Sequence, residues 1–222
     1  DGPAPELLTV SPTNAKRRRA VRAAVLVVGL GPLAALVARG LLGGPDGLGA
    51  NPVETITHQT GEWALRLLLL TLAVTPARRW LGWSWLAPER RTFGLLAFGY
   101  ACLHFATWLV LDLELDFAAL LGDVLERPYV TAGMTSLAAM LPLAVTSTRG
   151  WMKRLGRRWT RLHRLVWLAA AAACLHFLWL VKADHLEPAL HLAVLAALLA
   201  LRGRRGRNGE AAPRSGEGRN RG

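Results

Sequence analysis

Long apolar runs separated by short polar connections recur along the chain, and their lengths set the first expectation. A helix needs about 20 mostly apolar residues to cross a hydrocarbon core near 30 Å, and runs this long read as helix and not as strand. Six stretches fit, at roughly 21–42, 62–80, 92–111, 129–147, 160–181 and 185–201. The fifth, with LHRLVWLAAAAACLHFLWLV, is the cleanest. The sixth is the weakest, because its uninterrupted apolar core is only PALHLAVLAALLAL; it must borrow flanking residues or thin the bilayer locally. Pro32, Pro76 and Pro142 fall inside spans, where kinks and helix ends tolerate them. The expected fold class is all-α: a polytopic integral membrane helical bundle of about six transmembrane helices.

The polar connections alternate in charge, which supplies an independent check on the count. Lys16, Arg17, Arg18 and Arg19 precede the first run, and Arg78, Arg79, Arg90 and Arg91 join the second to the third. Arg149, Lys153, Arg154, Arg157, Arg158 and Arg161 join the fourth to the fifth; Arg202, Arg204, Arg205 and Arg207 follow the sixth. With six spans all four clusters share one face, which the positive-inside rule makes cytoplasmic. The other face receives Asp46, Glu54, Asp112, Glu114, Asp116, Asp123, Glu126, Asp184 and Glu187. The expectation is a multi-pass membrane protein with both termini in the cytoplasm.

Composition narrows the class further. At 52% hydrophobic residues the chain fits neither a disordered tail nor an ordinary soluble domain. A net charge of +12 raises nucleic acid as a partner, but the cations sit in tails and alternate connections, so none is expected. The organisation reads as a basic cytoplasmic tail over 1–20, one transmembrane domain over 21–201, and a basic disordered cytoplasmic tail over 202–222. That last tail suits anionic lipid headgroups, at roughly 1 kcal/mol per basic residue near the surface. The first apolar run has no convincing small-residue cleavage site after it and reads as a retained helix, not a signal peptide.

The chemistry lies in the histidines. An ionisable side chain inside a bilayer is costly and usually partnered, and imidazole is a common axial ligand for heme iron. His104 lies about seven residues from the outer end of the third span and His176 about five from that of the fifth, so their depths agree within roughly 3 Å. Two imidazoles at one depth on different helices can ligate one iron from both faces of a porphyrin. The bland alternative is a hydrogen bond across helices, worth about 0.6 kcal/mol. His163 lies near the cytoplasmic end of the fifth span, about 19.5 Å of helix from His176. It reads either as a ligand of a second heme in the inner leaflet or as an interfacial histidine among arginines. Thirteen residues leave about 220° of rotation, off any strict stripe. Thirteen residues before His104 stands Arg91, no ordinary heme ligand but a suitable partner for a propionate.

Other candidates carry less. His58, in GANPVETITHQTGEW, supports a propionate, docks a partner, or is a solvated loop residue. His185 and His191 read as structural. Cys102 and Cys174 each precede a histidine by two positions, about 200° around a helix, and read as packing residues. No CxxCH, GxGxxG, GxxxxGK[ST] or HExxH occurs, so covalent c-type attachment is excluded by pattern.

The segments NPVETITHQTG, LHFATW, ERPYVTAG, AVTSTRGWMKRLGRRWTRLHRLVWL and HFLWLVK resemble the MsrQ (YedZ) family. These are heme-binding membrane subunits of bacterial periplasmic methionine-sulfoxide reductase, within the wider ferric-reductase-like transmembrane group. The resemblance covers about 45–182. It implies b-type heme, one or two, with ligands at His104, His163 and His176, and it implies FMN. It also implies electron flow from quinone or a cytosolic flavin reductase to the molybdopterin subunit MsrP, which repairs oxidised envelope proteins. Relative to ferric reductases, one third-span histidine is replaced by Arg91. Two rival functions stand beside the electron conduit: a stand-alone ferric or quinone reductase, and a non-redox transporter or assembly factor whose histidines form a polar relay. A visible absorption band separates the redox readings from the last.

Overall fold

The computed structural model describes residues 12–44, 46–182 and 185–210. Asp184 and the outer parts of both expected tails lie outside the described residues. Among the described residues every regular element is helical, with α1 (Pro12–Leu42), α2 (Pro52–Trp80), α3 (Arg90–Thr107), α4 (Phe117–Glu126) and α5 (Pro128–Val145). There follow α6 (Arg149–Leu155), α7 (Arg157–Leu162), α8 (Leu165–Leu180) and α9 (Leu186–Glu210). Local signals place the starts. Asn51 caps α2 by accepting from the Glu54 N–H at 3.2 Å, with Pro52 in the first turn. Asp116 caps α4 through Ala118 and Ala119, and Pro128 opens α5.

Two antiparallel hairpins, α2 with α3 and α5 with α8, form the centre of the bundle. Their shared core holds Leu65, Leu67, Leu68 and Leu72 of α2, Ala97 and Tyr100 of α3, Met140 of α5, and Ala169, Ala170 and Cys174 of α8. Ala97, Ala169, Ala170 and Cys174 are wholly inaccessible. Small residues there let backbones approach, as membrane helices without a hydrophobic drive between them require. Ser136 reinforces the second hairpin, donating to the Ala169 carbonyl at 2.9 Å.

The two hairpins also repeat in sequence. ACLHF occurs at 101–105 in α3 and again at 173–177 in α8, and LAVT occurs at 72–75 in α2 and at 143–146, the end of α5 and its C-cap. The centre is thus one helical hairpin used twice.

Lys16–Leu42, Ser84–Asp112, Pro128–Val145 and Arg157–Leu180 are long and apolar enough to cross a membrane. The second and sixth expected spans lie in α2 and α9, which fall short of that measure. In α2 the interruption is Glu62 and Arg66, and these pair at 2.9 Å within one turn, with Glu187 of α9 3.9 Å from Arg66. Two further differences have local causes. α1 begins at Pro12 and α9 continues to Glu210, so helix extends into the expected tails; arginine is a good helix former. The fifth expected helix is not continuous. Around His163 its ladder tightens to three-residue bonds, Arg164 to Arg161 and Trp167 to Arg164, so an ideal-helix rotation between His163 and His176 does not apply.

Pro32 interrupts the α1 ladder, and Tyr100 of α3 repairs it. The buried phenol donates to the Gly29 carbonyl at 2.8 Å and accepts from the Leu33 N–H at 3.1 Å, inserting between groups four residues apart. Tyr100→Phe should leave both unsatisfied, at a cost of about 1–3 kcal/mol. Thermal unfolding in detergent should fall accordingly; an unchanged midpoint would show that another group takes the bridge's place.

Candidate heme site

His104 and His176 converge from the two copies of ACLHF. Their ring centroids are 6.0 Å apart and the rings are nearly perpendicular, at 77°. Each ring is anchored on the opposite member of its own hairpin. His104 Nδ1 donates to the Thr57 carbonyl of α2 at 2.9 Å, and His176 Nδ1 donates to the Tyr129 carbonyl of α5 at 2.7 Å. A carbonyl only accepts, so each Nδ1 carries the proton and each Nε2 carries the lone pair. This is the arrangement that fixes the tautomer and orientation of a metal-ligating histidine. At a centroid separation of 6.0 Å the two imidazoles could share one metal between them.

The surroundings specify which metal. Among the described residues no group of three or more His, Cys, Asp or Glu could hold a free ion. Two imidazoles suffice only for a metal that brings its own equatorial donors, as porphyrin iron does. Both histidines line a cavity of about 480 Å³ walled by Leu65, Leu68, Phe105, Val130 and Leu137, a size and polarity suited to a flat apolar cofactor. Two glycines, Gly61 and Gly133, lie against the imidazoles where a Cβ would collide with them. The residues present fit heme. At the outer rim the cavity meets His58, which is exposed, and Arg127. Arg127 donates to the Tyr129 hydroxyl at 3.3 Å and pairs with Asp123 at 3.1 Å.

His163 is not part of this cavity. It lines a second one, of about 920 Å³, together with Arg79, Arg90, Arg91, Arg164 and Arg202. Its Nδ1 donates to the Trp159 carbonyl at 3.2 Å, and its ring stacks on the Trp159 indole, centroids 3.8 Å apart. The indole is itself held by the Thr146 carbonyl at 3.0 Å. Arg202 lies over Trp167, 5.0 Å from the ring centroid. No second histidine lines this cavity. Counting back 72 residues, the spacing between the two ACLHF copies, leads from His163 to Arg91, so the repeat supplies a cation where a second imidazole would stand.

His185 precedes α9 and is exposed, while the His191 Nδ1 donates to the Glu187 carbonyl at 2.7 Å. His191 also meets Phe177 edge-on. Neither lines either cavity. Sequence reasoning singled out the histidines and Arg91 but not Gly61, Gly133, Tyr129, Trp159 or Arg127. The signal for the glycines was the repeated pentapeptide, which aligns Gly61 with Gly133 as it aligns His104 with His176.

Residues 60–174 match the family model described as ferric reductase like transmembrane component, which places the chain in that class of membrane proteins. Named relatives narrow it. The chain is 50% identical over 154 residues to the "Protein-methionine-sulfoxide reductase heme-binding subunit MsrQ" of Xanthomonas euvesicatoria, covering 69% of this chain and 71% of that protein. It is 51% identical over 174 residues to the protein of the same description from Deinococcus radiodurans, covering 78% and 84%. The chain belongs to the MsrQ family. No solved structure matches it.

Proposed function

We propose that this chain is the heme-binding electron-transfer subunit of a protein-methionine-sulfoxide reductase system, with His104 and His176 as the axial ligands of a b-type heme. The observation that carries the reading is the pair of imidazoles 6.0 Å apart, each with Nδ1 committed to a carbonyl. When bound, heme supplies one-electron redox chemistry at its iron. The residues supply the rest. The two histidines would hold the iron, and Leu65, Leu68, Phe105, Val130 and Leu137 would present apolar surface to the porphyrin. His58 and Arg127 at the outer rim suit propionate carboxylates.

The second cavity belongs to the arginine-rich face and gives His163 its role. On this reading it holds a second heme through that one imidazole, its propionates met by Arg91 and neighbouring arginines. FMN is the competing occupant, because five arginines beside Trp159 and Trp167 equally suit a phosphate and a flat ring. Six crossings, with α2 and α9 among them, put the basic clusters in the cytoplasm of a bacterial inner membrane. Electrons then enter from quinone or a cytosolic flavin reductase and leave to periplasmic MsrP. The alternative of a stand-alone ferric or quinone reductase needs no such partner.

One experiment tests direction and partner together. In vesicles sealed with the arginine-rich face inward, heme reduced beforehand should be reoxidised when MsrP and methionine sulfoxide are added outside. Reoxidation only with the partner on the arginine-rich face would invert the path. A heme that stays reduced while MsrP turns over with an artificial donor would remove the conduit.

A further inference from the structure

Each axial histidine rests on a seat built from one helical turn of the neighbouring helix. The seat has two parts, a carbonyl that accepts from Nδ1 and a glycine four residues further on. Thr57 and Gly61 form it for His104; Tyr129 and Gly133 form it for His176. Residues four apart lie on one helix face, so the glycine is directly above the acceptor. A Cβ at Gly61 would stand 2.9 Å from His104 Nδ1 and 3.0 Å from its Cε1. A Cβ at Gly133 would stand 2.9 Å and 3.1 Å from the same atoms of His176. These distances are too short for a carbon against a ring, and the ring cannot retreat without breaking its hydrogen bond. Among other helical glycines, Gly99 has nothing within 4 Å and Gly94 meets only Thr71, at 3.6 Å or more; Gly29 would meet the end of a leucine side chain, Leu96 Cδ1 at 2.5 Å, and no imidazole.

The duplication makes the seat more than a packing accident. Acceptor, glycine and histidine recur with the same spacing, each histidine 47 residues after its acceptor. The neighbours of the glycines do not recur: Thr60 and Glu62 flank one, Ala132 and Met134 the other. On the turn that faces each imidazole, the two hairpins share the carbonyl acceptor and the glycine. We infer that Gly61 and Gly133 are positioning residues for the heme iron, each aiming one axial Nε2 by leaving room for the imidazole against the helix backbone. The inference rests on His104 and His176 being the ligands. A methyl group at either glycine tilts the ring off its carbonyl and turns Nε2 away from the iron.

The test uses the full chain purified from membranes, with Gly61→Ala, Gly133→Ala and the open-site control Gly99→Ala. The readouts are heme per protein, the low-spin electron paramagnetic resonance signal, and the midpoint potential. Either seat variant should lose about tenfold in heme retention, the lower range for removing a metal ligand's orienting partner, or convert its remaining heme to high spin. Gly99→Ala should do neither. Unchanged content, spin state and potential in both seat variants overturns the inference and leaves ligation standing. Retention of heme in His104→Ala and His176→Ala would overturn ligation and the inference with it. If a seat variant fails to accumulate, the double variant Gly61→Ala with His104→Ala decides. The cost of the methyl should vanish once the ring is gone, and an equal cost in both backgrounds overturns the inference.

Discussion

Replacing His104 or His176 by Ala should strip most of the heme from the purified protein, about tenfold or more in either single variant. On the proposed ligation each substitution would remove one iron–nitrogen bond and leave the other imidazole anchored by its carbonyl. Leu65, Leu68, Phe105, Val130 and Leu137 offer no nitrogen in the ligand's place, and the third imidazole of the cavity, His58, is exposed at its rim. Any heme that remains should be five-coordinate and high-spin. His185→Ala is the comparison, because His185 is exposed and lines neither cavity. Heme content and the oxidised and reduced spectra, normalised to protein, provide the measurement. Near-normal content and low-spin bands in both variants would remove this pair as ligands.

Much of the architecture was legible because a bilayer restricts the choices. Apolar length selects helices, and all-α followed directly. Four of the six expected spans meet a strict measure of length and apolarity in the structure. The two that do not show what one-dimensional reading leaves out. Glu62 and Arg66 break the apolar run of α2, yet they neutralise each other one turn apart. The depth argument brought His104 and His176 together from different helices, and the structure places them in contact distance. It could not give the seats, because their acceptors are backbone carbonyls and their other half is the missing side chain of glycine. The bend at His163 was hidden for a different reason. The overwound turn carries neither proline nor glycine and is accompanied by the stacking of His163 on Trp159.

The second large effect is expected at His163, where the two readings of the inner cavity part. If His163 carries a second heme, His163→Ala should lower heme per chain by about half, because imidazole is the usual axial ligand and this cavity has only one. The remaining band should be that of the His104–His176 site, since His163 is not part of that cavity. Electron entry from the arginine-rich face should then slow, while chemically reduced outer heme is still oxidised by MsrP. Arg91→His provides the converse measurement. It puts an imidazole at the position that the repeat makes equivalent to His163 and that lines the same cavity, so a bound second heme should gain a second axial nitrogen and become low-spin. If His163→Ala leaves the heme ratio unchanged and flavin is lost instead, the arginines hold a phosphate and the inner cavity is the FMN site. If heme, flavin and electron entry are all unchanged, His163 is an interfacial imidazole held by Trp159 and holds no cofactor in the second cavity.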